Sequence, residues 1–173
     1  MASAGNIYLI GMMGSGKTVT GKALAEQLGY AFVDLDVEIQ AKEGRSIPEI
    51  FAGSGEPYFR DAESSVLERF SKKAKQVIAT GGGIVLREEN VRRMKETGTV
   101  VLLDASVESL WQRVRYSKDR PLLNKPDPLG ALRKILSDRG TFYSKACHFS
   151  VPTDGKIAEE VAHEILGRLR SGI

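Results

Sequence analysis

Near the start of the chain, Gly11-x4-Gly16-Lys17-Thr18 sets two glycines, a lysine and a hydroxyl at the spacing of a phosphate-binding loop. The apolar run 6–10 in front of it and the helical pattern 17–28 behind it supply the strand–loop–helix context that makes the match specific. Glycines let backbone N–H groups wrap phosphates, and the helix N-terminus adds its partial positive charge. The cradle is expected to run from Gly14, Ser15 and Gly16 through Lys17, Thr18 and Val19. Lys17 is expected to reach the β- and γ-phosphates, and the Thr18 hydroxyl to ligate Mg²⁺.

Downstream lie further groups that could do chemistry on a bound phosphate. In "DLD", Asp34 and Asp36 close the second apolar run. A strand's two-residue period would turn both carboxylates to one side, at the carboxyl edge where α/β sheets bind ligands. One could then hold the Mg²⁺ hydration shell and the other accept a proton from a hydroxyl. The competing reading is a helix cap at Asp36 beside a solvated Asp34. "TGGGI" follows the third run, where a second metal-holding acid would ordinarily stand. It offers no carboxylate, which directs the Mg²⁺ role to Asp34. Three glycines in a row, Gly81, Gly82 and Gly83, imply a backbone that approaches a ligand or turns sharply. Arginines complete the set. Arg60 in "YFRDAE" reads from spacing alone as a surface or locally ion-paired residue, with Asp61 and Glu63 beside it. Arg120 in "RPLL" and Arg139 in "DRGTFY" suit an in-cis arginine finger or a fork for a substrate carboxylate, and taken singly each reads equally well as surface charge.

The elements that must position these groups are legible as an alternation. Runs 6–10, 31–35, 76–80, 99–103 and 148–151 are short and branched or aromatic, as strands covered on both faces should be. Helices are expected over 17–28, 46–52, 56–74, 88–97, 106–115, 128–145 and 156–170. Gly29 is a helix-ending residue, and Ser46 with Glu49 makes a capping box. Phe59, Ala62, Val66 and Phe70 form a buried stripe. Such an alternation is an α/β fold with a parallel sheet and right-handed crossovers. Two insertions break it. Residues 36–75 hold more helix than one crossover needs, and 116–127, "YSKDRPLLNKPD", reads as an exposed loop or lid.

Composition narrows the setting. The 173 residues suffice for one domain, and no repeat or linker divides them. A net charge of +3 spread along the chain argues against nucleic-acid binding. The single cysteine, Cys147, excludes an internal disulfide and fits a reducing compartment. No run approaches the roughly 18 apolar residues of a membrane span, and "MASAGNIYLIG" lacks the plan of a signal peptide. The chain is expected to be cytoplasmic, with no membrane partner. His148, His163 and Cys147 read as structural, and Trp111 as core or as partial cover for the nucleotide.

In order, "GMMGSGKT", "DLD", "FR", "GGG", "RPLL" and "DRGTFY" resemble the shikimate kinases over almost the whole chain, from about residue 6 to 170. The resemblance implies a three-layer P-loop fold of the nucleoside monophosphate kinase-like group. Its five-stranded parallel sheet, order 2-3-1-4-5, would carry flanking helices, a mobile lid at about 116–127 and a helical substrate-binding insertion at about 36–75. It implies ATP-dependent phosphorylation of the 3-hydroxyl of shikimate by a monomer. Asp36, Arg60, Gly81, Gly82, Gly83 and Arg139 would bind shikimate, the two arginines holding its carboxylate. Thr18 and Asp34 would organise Mg²⁺, Lys17, Asp36 and Arg120 would carry the chemistry, and Arg113 would pack near the adenine. Two other readings compete: a kinase for gluconate or a nucleoside monophosphate, and a nucleotide-dependent switch without an acceptor. The D-x-D, the triple glycine and the acid-free third strand end favour shikimate over the first. The paired arginines would have no purpose in the second.

Overall fold

A computed structural model describes residues 5–172. The first four residues of the N-terminal stretch and Ile173 lie outside the described residues. Among those described, five parallel strands, β1 (Asn6–Ile10), β2 (Ala31–Asp34), β3 (Gln76–Ala79), β4 (Gly98–Asp104) and β5 (Phe149–Pro152), stand in the order β2-β3-β1-β4-β5. The helices are α1 (Lys17–Leu28), α2 (Leu35–Glu43), α3 (Ile47–Ser71), α4 (Glu88–Thr97), α5 (Val107–Val114), α6 (Pro128–Ala146) and α7 (Ala158–Arg170).

Strand pleating explains why the strands read as apolar throughout. On β1, Ile7 and Leu9 enter a core with α1 and α7, whereas Tyr8 and Ile10 enter one formed with α2 to α6. Val101 and Leu103 divide from Val100 and Leu102 in the same way on β4. With both faces covered, alternation disappears from the sequence and only burial remains. The strand order reverses at β1, so the crevice at the carboxyl end of β1 is where such a sheet receives ligands. Asp34 at the end of β2 and Thr80 just past β3 both border it.

The second crossover departs from expectation. The run 31–35 does not continue as a strand through Leu35. Asp34 Oδ1 accepts from the backbone N–H groups of Asp36 and Val37, and α2 begins at Leu35. Asp34 is therefore the helix cap, and Asp36 lies in the first turn. The two carboxylates are brought together by a helix start rather than by strand periodicity. The helices expected over 46–52 and 56–74 form one element, α3, bent at Gly55 (φ 84°, ψ 168°) and ending at Ser71. Its capping box forms as expected, with Ser46 N donating to Glu49 Oε2 at 2.7 Å. Phe59, Ala62, Val66 and Phe70 are buried, again as expected.

Candidate active site

The phosphate loop runs from β1 into α1 with Gly11, Gly14 and Gly16 at φ +146°, +81° and +90°, a left-handed backbone that side chains resist. Lys17 folds back over the loop, its Nζ donating to the carbonyls of Gly11 (2.8 Å) and Met12 (2.9 Å). Loss of solvent around the ammonium lowers its pKa to about 8. Asp36 and Asp34 oppose that shift, and Arg120 and Arg139 add to it. The Thr18 hydroxyl donates to Asp34 Oδ2 at 2.7 Å, so one carboxylate both caps α2 and holds the loop hydroxyl. Asp36 points inward with Oδ1 buried and without a partner among the described residues. Burial raises its pKa first and Asp34 second, while Lys17, Arg120 and Arg60 pull the other way.

Two hollows meet at Asp36. The first, about 310 Å³, is bordered by Gly14, Gly16, Lys17, Thr18, Val19 and Asp34, with Arg113 and Arg120 across from them. Ser15 does not line it; its side chain is buried behind the loop. The second, about 80 Å³, is walled by Arg60, Gly81, Gly82, Gly83 and Arg139, with Phe51 and Phe59 as apolar surface. Asp36, Gly82, Met13 and Arg120 border both. Residues Asp119 to Leu122 roof the second hollow, and Leu123 anchors that segment in the core. The stretch 116–127 is thus not exposed throughout: a 3-10 turn at Pro121–Leu123 seats it on the site.

Arg60 is buried, and its Nη1 bonds Glu63 Oε2 at 3.0 Å and its Nη2 bonds Glu56 Oε1 at 3.0 Å. Burial opposes its charge, but the two carboxylates outweigh burial and raise its pKa. Glu63 has no exposed surface. Burial drives its carboxyl above the ordinary range, and the attraction of Arg60 offsets part of the rise. Asp61, the other acid expected beside Arg60, instead pairs with Arg87 at 2.7 Å.

Side-chain ends crowd the first and last of the three glycines, while the middle one has room for a Cβ. None of the three has a positive φ. A Cβ on Gly81 would meet Glu63 Oε1 at 2.4 Å, and one on Gly83 would meet both Arg60 Nη atoms at 2.4 Å. On Gly82 it would lie 3.4 Å from Arg139 Nη1. Arg139 is buried midway along α6, and one turn later Tyr143 donates its hydroxyl hydrogen to the Gly82 carbonyl at 2.5 Å.

Over residues 13–170 the chain matches the family model described as shikimate kinase. The chain belongs to the shikimate kinase family. A shikimate kinase of Symbiobacterium thermophilum is 47% identical, over 95% of this chain and 96% of its own. That of Persephonella marina is 44% identical, over 95% and 99%. A solved structure, the shikimate kinase from Acinetobacter baumannii in complex with shikimate, superposes with a TM-score of 0.96 at 40% identity, covering 98% of this chain and 95% of its own.

Within this shikimate kinase framework the structure gives a part to one residue that sequence reasoning did not single out and places others that it did. That one residue is Glu63. It was legible: position 63 falls inside the stripe of 59, 62, 66 and 70, so a helix that buries the stripe buries Glu63 as well. Arg113 donates to the Gly14 carbonyl (2.9 Å) and to Thr153 Oγ1 (3.3 Å), tying the phosphate loop to the turn after β5. Trp111 packs on the core and faces the hollow behind 116–127 rather than the loop cleft. His148 Nδ1 accepts from Val100 N at 2.9 Å, and His163 is exposed on α7.

Proposed function

We propose that the chain transfers the γ-phosphoryl group of ATP to the 3-hydroxyl of shikimate, giving shikimate 3-phosphate and ADP on the route to chorismate and the aromatic amino acids. The observation that carries this reading is the junction of the two hollows. A phosphate-loop cleft and an arginine-walled cavity share Asp36 and Arg120, so a donor in one faces an acceptor in the other.

Each residue's chemistry supports a role. Arg60 and Arg139 are forked donors suited to the acceptor's carboxylate. Asp36 orients the attacking hydroxyl and takes its proton, a task suited to a carboxylate with a raised pKa. Lys17 and Arg120 balance charge on the transferring group, whose reaction depends on positioning and electrostatics. Gly14 to Val19 cradle the phosphates, and Arg113 borders the base. The oxygens of Thr18 and Asp34 are hard donors of the kind Mg²⁺ takes, and together they would hold it. That ion supplies neutralisation of phosphate charge when bound.

At about 80 Å³ the acceptor cavity is smaller than a ligand-sized pocket of about 300 Å³ or more. The segment 116–127 therefore acts as a lid that lifts for the acceptor and closes to exclude water. The protein would act as a single-domain cytoplasmic monomer without nucleic-acid or membrane partners. Among the described residues, no helix is long and apolar enough to cross a membrane.

The test is ADP release in a coupled assay with shikimate, gluconate or AMP, each with and without Mg²⁺. Turnover with shikimate and Mg²⁺ alone is expected; silence with shikimate overturns the reading.

A further inference from the structure

Arg120 borders a third hollow. Behind the lid, between the C-terminal end of α5 and the start of α6, lies a pocket of about 370 Å³. Three cations line it, Arg115, Lys118 and Arg120, with Ser117 and Asn124 as hydrogen-bonding groups. Its walls contain no carboxylate, and Asp119, between two of the cations in sequence, faces the acceptor cavity instead. Among the described residues none of the three cations enters an ion pair. Arg120 Nε is buried without a hydrogen-bond partner. The half-buried face of Trp111 supplies an aromatic wall.

We propose that this pocket binds a small organic anion, a phosphate or carboxylate carried on a ring-sized apolar body, and that the bound anion holds Arg120 away from the nucleotide cleft. Like charges gathered around one cavity repel, and an anion placed among them converts that repulsion into charge-assisted hydrogen bonds. A volume of about 370 Å³ falls within the range of small-molecule sites. Trp111 offers the ring a stacking surface. A guanidinium forked to an anion behind the lid is not free to fork the γ-phosphate, so the two ligands oppose each other, and the opposition is reciprocal. The inhibitory consequence rests on the role proposed above for Arg120; the existence of the pocket's ligand does not.

Trp111 is the chain's one tryptophan, so its emission reports on this pocket directly. Phenyl phosphate is titrated while saturating Mg·ADP fills the nucleotide cleft. A saturable change in Trp111 emission is expected. The Arg115→Ala/Lys118→Ala double variant should bind at least about tenfold more weakly, having lost two charge-assisted contacts. Arg115→Lys alone should retain most of the binding. Replacing ADP by a non-hydrolysable ATP analogue should weaken binding in the native chain. A titration without saturation, or one that the double substitution leaves unaltered, overturns the site. Equal binding with ADP and with the ATP analogue overturns the shared arginine. ADP release from shikimate is followed in the same preparations without the probe. Its absence would remove the proposed activity while leaving the emission titration to decide the pocket.

Discussion

Arg60 and Glu63, one turn apart on α3, form an ion pair of 3.0 Å whose carboxylate has no exposed surface. Such a pair fixes a guanidinium before a ligand arrives, so an incoming carboxylate meets a donor fork already in place. Glu63→Gln keeps the shape and a hydrogen-bond acceptor but removes the charge. The KM for shikimate is expected to rise about tenfold, equivalent to about 1.4 kcal/mol, with a smaller change in kcat. Glu63→Ala leaves Arg60 paired with Glu56 but strips Nη1 of its partner, and should cost about 1–3 kcal/mol of stability in a denaturant titration. An unchanged KM in Glu63→Gln would show that the fork needs no such support.

The glycine at 83 tests the same relationship from the backbone side. In Gly83→Ala the new methyl would fall 2.4 Å from both Arg60 Nη atoms, so the guanidinium must shift. The expected outcome is a raised KM for shikimate with the KM for ATP unaltered. Gly140→Ala, in α6 with nothing within 4 Å of the added Cβ, is the control. It should gain about 0.5–1 kcal/mol from the lower backbone entropy of alanine.

The parallel sheet and the phosphate loop follow from signals local to a few residues: apolar runs, glycine spacing and a strand–loop–helix sequence. The strand order is implied only by the resemblance of the ordered motifs to a family. What the sequence misstated was decided by competition or by distance. Leu35 extends the apolar run of β2, yet the Asp34 carboxylate captures two N–H groups and turns the chain into α2. "GSG" at 53–55 reads as a gap between helices, but only Gly55 leaves helical geometry. Glu63 is a mixed case: its place inside the stripe of 59, 62, 66 and 70 gives its burial, but the groups that make a buried acid tolerable are not all local. The 81–83 turn that packs against its carboxylate is likewise remote in sequence.

Asp34 carries two duties on its two oxygens, and conservative replacement separates them. Asp34→Asn keeps an oxygen for the backbone donors of α2, so little stability should be lost. Asp34→Ala forfeits the cap and should cost about 1 kcal/mol. Both weaken the proposed Mg²⁺ site. The Mg²⁺ concentration for half-maximal turnover is expected to rise about 10- to 100-fold, the scale seen when groups that organise a metal are lost. Equal Mg²⁺ dependence in Asp34→Asn and the native chain would assign the ion elsewhere.

Lys17 gives a pH signature with opposite signs in activity and stability. Its pKa in the fold is about 8, against 10.5 as the ordinary value. As pH rises through about 8 the free enzyme loses this charge, so kcat/KM for ATP should decline, about tenfold per pH unit once past it. The unfolded chain keeps the proton until about 10.5, and so binds more protons than the fold between those values. Stability contributed by Lys17 therefore rises across that window and is lost as pH falls back through about 8. The stability of the native chain relative to Lys17→Met, followed by chemical denaturation, should increase over the same interval. A constant difference would mean that the ammonium is not desolvated in the fold.

Arg120 stands where the donor cleft and acceptor cavity meet, held by a lid whose Leu123 is buried in the core. Its guanidinium is expected to act on charge that develops during transfer rather than on the bound acceptor, for whose carboxylate Arg60 and Arg139 are the proposed partners. Arg120→Ala should lower kcat about 10³-fold, the scale of a lost in-cis arginine finger. Shikimate binding, measured by calorimetry without nucleotide, should survive. Arg120→Lys restores the charge but not the planar fork, and should recover only part of the rate. A loss of shikimate binding equal to the loss of turnover would make Arg120 an acceptor ligand, and a native rate in Arg120→Ala would remove the lid from the chemistry.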